Sequence, residues 1–354
     1  MAITEVRENR YLELDALRGV AAMLVVLFHL NMANADTEPI FKYGVTGVDL
    51  FFIISGFVIF MSINQVSSGR EFVINRFARL YPTYWVCVTI TCIVIVLSQS
   101  IYYHEDFTFG IFRQYLANMT MFQYYLNSPN LDQSYWTLIV EMLFYIVILS
   151  LYELKTLKRI EGIGLSIVIG IFLLDTFTQH SLPRLYSILF DGFPLLRHFP
   201  LFFSGILFYK IYTDGMHKWR RYLMLAFCLF VETRLYHIEG STRYYITQRE
   251  YLYVLMVYYG LFVSFVNGWL GFLVNKATLF LGNISYTLYV LHGYIATRIV
   301  IPGLTRVLHI NFYITAVITL AGFLFIAGFI TNHLEIPMRK RIKSALRKLA
   351  TSSA

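Results

Sequence analysis

Apolar residues in this chain fall into long runs, not into the alternating or striped patterns of a soluble domain. Ten such runs stand out, at residues 13–32, 45–62, 82–100, 134–152, 162–177, 197–212, 222–236, 251–266, 279–298 and 313–332. A bilayer-spanning helix needs about 20 mostly apolar residues, and the runs approach or meet that length. The connections are short except for 101–133, and neither an internal repeat nor a low-complexity stretch interrupts them. The pattern predicts an all-α, polytopic transmembrane helical bundle of about ten spans. It forms one domain over residues 1–338, followed by a basic tail at 339–354.

Composition narrows the class further. Of the 354 residues, 57% are hydrophobic and 14% charged, against about 25% charged in ordinary soluble domains. So few charges cannot cover the surface of a soluble globule this apolar. The formal net charge is +8, which in a soluble protein suggests nucleic acid. Here the basic residues report topology, and nucleic-acid binding is not expected. An even number of spans puts both termini on one side. With that side cytoplasmic, it holds Arg7, Arg10, Arg70, Arg76, Arg79 and the basic tail, and so the larger share of the 29 Lys and Arg. This is the positive-inside pattern. Cys87, Cys92 and Cys228 all lie in apolar stretches and suit neither a zinc site nor a disulfide framework. No metal site is expected.

Ionisable side chains inside a bilayer are costly and mark interior or water-filled sites. In the first run Arg18 and His29 are eleven positions apart. They share a helix face and are separated by about 17 Å along the axis. A buried His hydrogen-bonded to a neighbouring helix is the plainer reading of His29, and its pairing with Arg18 favours a functional one. Asp49 in the second run is not explained by packing. A carboxylate beside His29 would orient its ring. Arg76 and Arg79 share a face if that stretch is helical. They could grip phosphate or serve as a positive-inside anchor beside Tyr81, Tyr84 and Trp85. Glu141, two turns after Ser134, could be a base, a proton relay or an ion-pair partner. Ser285, Tyr289 and His292 line another face, as substrate contacts or as a packing seam, and the same alternatives hold for His333 and Glu335.

Taken in order, these stretches resemble the acyltransferase-3 family of integral membrane acyltransferases. Arg18 and His29 fit the family's arginine–ten residues–histidine motif. Gly47-Val48-Asp49-Leu50-Phe51-Phe52-Ile53-Ile54-Ser55-Gly56-Phe57 looks like its second signature, and Arg76-Phe77-Ala78-Arg79 with Tyr81-Pro82 like its paired-arginine block. Ser134-Tyr135-Trp136-Thr137-Leu138 leading to Glu141 is similar to the fourth. Gly282-Asn283-Ile284-Ser285-Tyr286 with His292 is similar to the late one. The resemblance covers most of the chain. It implies that residues 1–338 are a transmembrane acyltransferase domain in the cytoplasmic (inner) membrane, and it implies transfer, most often of acetyl, from cytoplasmic acyl-CoA to a hydroxyl of an extracytoplasmic or lipid-linked sugar, as in the stand-alone polysaccharide and exopolysaccharide type. Some relatives carry a fused extracytoplasmic domain. Because the chain ends soon after the tenth run, the expectation is direct transfer or a separate extracytoplasmic partner.

Both lines together yield one working assignment. Arg18, Arg76 and Arg79 hold the phosphates of acyl-CoA, most simply acetyl-CoA. His29 is the base or the transient acyl carrier, with Asp49 and Glu141 orienting or charge-balancing it. Ser134, Trp136, Tyr286 and His292 contact substrate. The alternative is a transporter or exporter of a polysaccharide unit or a small acid, since proton-coupled carriers also use intramembrane His and Glu.

Overall fold

The computed structural model describes residues 11–33, 40–100, 109–214, 218–238, 240 and 242–352. Arg7 and Arg10, used above to orient the chain, lie outside the described residues, as does 101–108 of the long connection. Almost all described residues are helical, and no strand occurs among them. The helices are α1 (Leu12–Met32), α2 (Gly47–Ile63), α3 (Gly69–Ser98), α4 (Phe109–Met119), α5 (Trp136–Glu153), α6 (Ile160–Ser181) and α7 (Pro183–Gly192). They continue as α8 (Leu195–Asp214), α9 (Lys218–Leu235), α10 (Thr242–Tyr245), α11 (Gln248–Val266), α12 (Lys276–Tyr294), α13 (Phe312–Ile330) and α14 (Ile336–Ser352).

Each of the ten apolar runs falls on a helix. Six of the runs lie in helical stretches long and apolar enough to cross a membrane: Lys42–Ile63, Gly69–Ser98, Gln133–Glu153, Leu157–Gln179, Lys276–Val307 and Phe312–Lys348. The chain is therefore an all-helical, multi-pass membrane protein. The remaining four runs form α1, α8, α9 and α11, each of which includes charged residues.

Local signals set several helix ends. Ser68 caps α3 by accepting from Glu71 N, and Thr247 with Glu250 forms a capping box on α11. Asn275 with Thr278 does the same for α12. Such caps satisfy backbone N–H groups that a helix start leaves unpaired. The largest departure from the sequence reading is α3. It starts at Gly69, about three turns before the predicted 82, and carries Pro82 in its interior. A proline reads as a helix start because its missing N–H costs nothing there. Here the Ser68 cap sets the start instead, so Arg76 and Arg79 lie within the long helix. The connections 101–133, 178–196 and 237–250 contain the short helices α4, α7 and α10. The basic tail is helical as α14 and is tied to α3 by Arg347–Glu71 at 2.7 Å.

Two glycine-mediated crossings organise the bundle. A Cβ on Gly19 of α1 would meet Gly282 N at 2.6 Å, and Leu281 Cβ and Thr278 O at 2.8 Å. A Cβ on Gly282 of α12 would collide with the Asp15 carbonyl oxygen. Ten residues further along both helices, His29 meets His292. The matched spacing shows that α1 and α12 run parallel. In the second crossing Gly56 of α2 backs onto Phe202 of α8, and Gly205 backs onto Ile53. Phe52 contacts His198 and Phe57 contacts Tyr209, so this pair is parallel too. Small residues let helix backbones approach this closely.

Candidate functional site

A small cavity lies between α1, α2, α3, α5 and α12. It gathers Arg18, Arg76, Arg79, Glu141, Ser285, Tyr286 and Tyr289, all singled out from the sequence, together with Ser55 and Thr137. The rest of its lining is mostly apolar, including Val48, Phe51, Phe52 and Ile54. Arg76 and Arg79 are three residues apart on one helix, which puts both on one face, and that face lines the cavity.

Neighbours hold the charged groups in place. Glu141 Oε1 accepts from Tyr145 Oη at 2.7 Å and from Ser55 Oγ at 3.3 Å. The Arg76 guanidinium lies 5.5 Å from the Phe72 ring centre and 5.7 Å from that of Tyr145. Its Nε has no hydrogen-bond acceptor among the described residues. Arg18 interacts electrostatically with Arg79, Asp15, Glu141 and Tyr145. Glu335, a carboxylate of the chain's late helical stretch, accepts from Thr287 Oγ1 at 2.9 Å and interacts with Arg18 and Arg79. Three guanidinium groups and one carboxylate, Glu141, line the cavity itself, while Asp15 and Glu335 interact with the arginines from outside that lining, so the lining carries excess positive charge. That is chemistry for an anion, phosphate above all.

His29 is not among the cavity-lining residues. Its Nδ1 lies 2.9 Å from His292 Nε2. Tyr289 links this pair to the cavity. Its ring stands 6.0 Å from that of His292, and its hydroxyl pairs with Thr137 Oγ1 at 2.9 Å. Of the two carboxylates expected beside His29, Glu141 is held in the cavity. Asp49 turns to His198 and Glu232: one donor atom from each of these three buried residues lies within 4.8 Å of the others. Those donor types could hold a cation. Positions 49, 198 and 232 are too far apart in the chain for spacing to have signalled the cluster.

The remaining expected substrate contacts are dispersed. Ser134 is buried and donates both its backbone N–H and its hydroxyl to Asp132 Oδ1, at 2.8 and 2.6 Å. Trp136 is 39% exposed, so its indole lies at the bundle's surface, with its ring 5.4 Å from His198. Tyr286 donates from its hydroxyl to the Leu80 carbonyl at 3.1 Å, across α12 and α3.

Sequence reasoning missed Asp132. It caps the turn that starts α5, and its other oxygen accepts from Tyr294 N at the end of α12. It also interacts electrostatically with His29. Its only signal was an Asp in capping position before Ser134, a local cue that says nothing about α12.

The chain is 25% identical to a putative acetyltransferase of Acidianus two-tailed virus, over 82% of this chain and 84% of that protein. It is 30% identical to the peptidoglycan O-acetyltransferase OatA of Listeria monocytogenes, over 46% of this chain and 27% of that one. It is 29% identical to the exopolysaccharide production protein ExoZ of Rhizobium meliloti, over 41% of this chain and 46% of that one. The chain thus spans most of the viral relative, but only about a quarter and a half of the two bacterial ones. No solved structure matches. The acyltransferase domain family matches residues 11–333, a range that contains the arginine-lined cavity, the histidine pair and every helix that builds them, and the chain belongs to that family.

Proposed function

We propose that this protein is a membrane O-acyltransferase of the inner membrane. It takes an acyl group, acetyl in the simplest case, from cytoplasmic acyl-CoA and passes it to a sugar hydroxyl on the opposite side. The observation that carries the reading is the convergence of Arg18, Arg76 and Arg79 on one cavity. A coenzyme A tail presents phosphates that such a set can bind, and Arg76 Nε is a buried donor lacking an acceptor among the described residues. The mostly apolar remainder of the lining suits the pantetheine arm. His29 stands about 17 Å further along the same face of α1, within the reach of an extended arm.

Two routes fit His29, and both balance. As a base, its imidazole takes the proton of the sugar hydroxyl while that oxygen attacks the thioester carbonyl. The tetrahedral intermediate collapses with C–S cleavage, and the CoA thiolate recovers the proton from the imidazolium. As an acyl carrier, the imidazole nitrogen attacks the thioester carbonyl, the C–S bond breaks, and CoA leaves as its thiolate from an acyl-imidazolium that keeps its other N–H. The sugar oxygen then attacks the acyl carbon, the C–N bond breaks to return neutral imidazole, and the sugar's proton passes to the CoA thiolate. Glu141 balances the arginine charge in the cavity, and Tyr286 bounds it. Names of relatives that act on peptidoglycan or serve exopolysaccharide production support an envelope or secreted sugar polymer as acceptor, reached directly or through a separate extracytoplasmic partner.

The test is thermal stabilisation of the purified protein by acetyl-CoA, each variant being compared with its own ligand-free midpoint. A ligand at 100 times its Kd adds about 2.7 kcal/mol of apparent stability. Arg76→Ala with Arg79→Ala removes charge-assisted bonds of about 1.5–3 kcal/mol each, so the shift should vanish at the same concentration. Absence of any shift in folded wild type would move the assignment to transport, read by uptake of labelled sugar into vesicles.

A further inference from the structure

The histidine pair fixes which nitrogen of His29 is available for chemistry, and this inference rests on the reading of His29 as the reacting group. His292 is fully buried. Its Nδ1 lies 2.9 Å from the Tyr289 carbonyl and 3.1 Å from the Leu288 carbonyl. A carbonyl oxygen only accepts, so Nδ1 of His292 carries a proton and donates it. With a neutral ring, Nε2 of His292 is then a lone-pair acceptor. A cationic ring at a fully buried position would carry the cost of an enclosed charge. The 2.9 Å contact to His29 needs one hydrogen between the two nitrogens, and that hydrogen belongs to His29 Nδ1.

We infer that His292 is a positioning residue: through backbone carbonyls of its own helix it holds His29 as the Nδ1–H tautomer, leaving His29 Nε2 as the free base or nucleophile. A histidine thereby does what a carboxylate does in other catalytic pairs. It orients the ring and selects the tautomer without adding charge to the site. Asp132 supports the arrangement from below. It accepts from Ser134 and from Tyr294 N, two residues after His292, and so fixes the end of α12 that presents the ring. A Cβ on the intervening Gly293 would collide with the Asp132 carboxylate, so the loop and the helix end are packed against each other.

His29 keeps some solvent exposure, so a small reagent can be brought to its ring. The probe is diethyl pyrocarbonate, which acylates an unprotonated imidazole nitrogen. The readout is the rate of His29 modification, from peptide mass spectrometry, in wild type, His292→Leu and His292→Gln. Leucine removes the acceptor, and glutamine keeps one near the place of Nε2. The expected result is rapid modification in wild type, a fall of about tenfold in His292→Leu, which is the worth of one hydrogen bond, and recovery in His292→Gln. Equal rates in wild type and His292→Leu would overturn the inference. A second measurement needs no His292 variant. In protein labelled with 15N-histidine, the His29 resonances, assigned by their loss in His29→Asn, should show a protonated Nδ1 and an unprotonated Nε2. The reverse pattern would also overturn it. Both readouts work without acetyl-CoA, so failure of the acyl-CoA assignment and failure of the tautomer assignment are seen separately.

Discussion

Alanine at Gly19 should break the link between packing and chemistry at a point ten residues away from the chemistry itself. The new Cβ would sit 2.6 Å from Gly282 N and 2.8 Å from both Leu281 Cβ and Thr278 O. An ordinary contact is about 3.5–4.0 Å, so α1 must move from α12 by close to 1 Å. None of the three atoms can rotate away, because two belong to the backbone and the third is itself a Cβ. Overpacking of this kind costs about 1–3 kcal/mol. The same substitution also gains roughly 1 kcal/mol of helix propensity, which would hide part of the cost. Gly170→Ala in α6 supplies the reference, since a Cβ there meets nothing within 4 Å. The difference between the two variants cancels the propensity gain and leaves the steric cost. A shift near 1 Å at the crossing would also stretch the His29–His292 contact from 2.9 Å beyond hydrogen-bond range. The assay is unfolding of both variants in the same detergent, followed by His29 modification with diethyl pyrocarbonate. Gly19→Ala should be less stable than Gly170→Ala by about 1–3 kcal/mol and should lose the fast His29 reaction. If it matches Gly170→Ala in both, the crossing is not the rigid joint described.

Two further outcomes test parts of the bundle away from the cavity. Arg221 joins Glu161 and Asp214, each at 2.9 Å, and donates to the Lys210 carbonyl at 2.7 Å, tying α6, α8 and α9 together. Its side chain is nearly buried while both acidic partners reach solvent, so Arg221→Met should cost about 3 kcal/mol, the low end for a broken buried pair, in equilibrium unfolding. His237, in the connection after α9, lies 3.2 Å from Asp175, and hydrogen bonding to that carboxylate raises its pKa above 6.5. A raised folded-state pKa gives stability that is complete below pH 6.5 and is lost as pH climbs through the folded value. Unfolding of wild type should therefore show this loss on the alkaline side of 6.5, and His237→Gln should not show it; identical profiles would remove His237 from the account.

The helices were legible because a bilayer makes burial a property of every residue in a span, so apolar run length alone finds them. What the runs could not show was how long a helix continues into polar sequence. The start of α3 lies in Ser68-Gly69-Arg70-Glu71, a cap followed by charged residues, where hydropathy is silent and hydrogen bonding decides. The same limit hid α4, α7, α10 and the helical state of the tail. In the site, residues close in sequence were read correctly as sharing a face: Arg76 with Arg79, and Ser285 with Tyr289, all line the cavity. Pairings between helices were not legible. Nothing local to Asp49 points to His198 or Glu232, and nothing local to His29 points to His292. Those partners depend on which helices touch, and that was set by Gly19 and Gly282 in one case and by Gly56 and Gly205 in the other.

That dependence shows how the two halves of the proposed site can be far apart and still be held in one geometry. Arg18 and His29 are separated by eleven residues, three helical turns plus about 20°, so one straight helix keeps them on one face. A single helix would fix their separation but not the setting of the ring at its far end. The second helix supplies that. From Gly282 to His292 is the same ten-residue step as from Gly19 to His29, and because α1 and α12 run parallel the two steps end side by side. Along the way α12 contributes Ser285, Tyr286 and Tyr289 to the cavity wall before presenting His292 to His29. One glycine crossing thus aligns an arginine-lined end and an imidazole end, and the distance between them is set by helical rise alone.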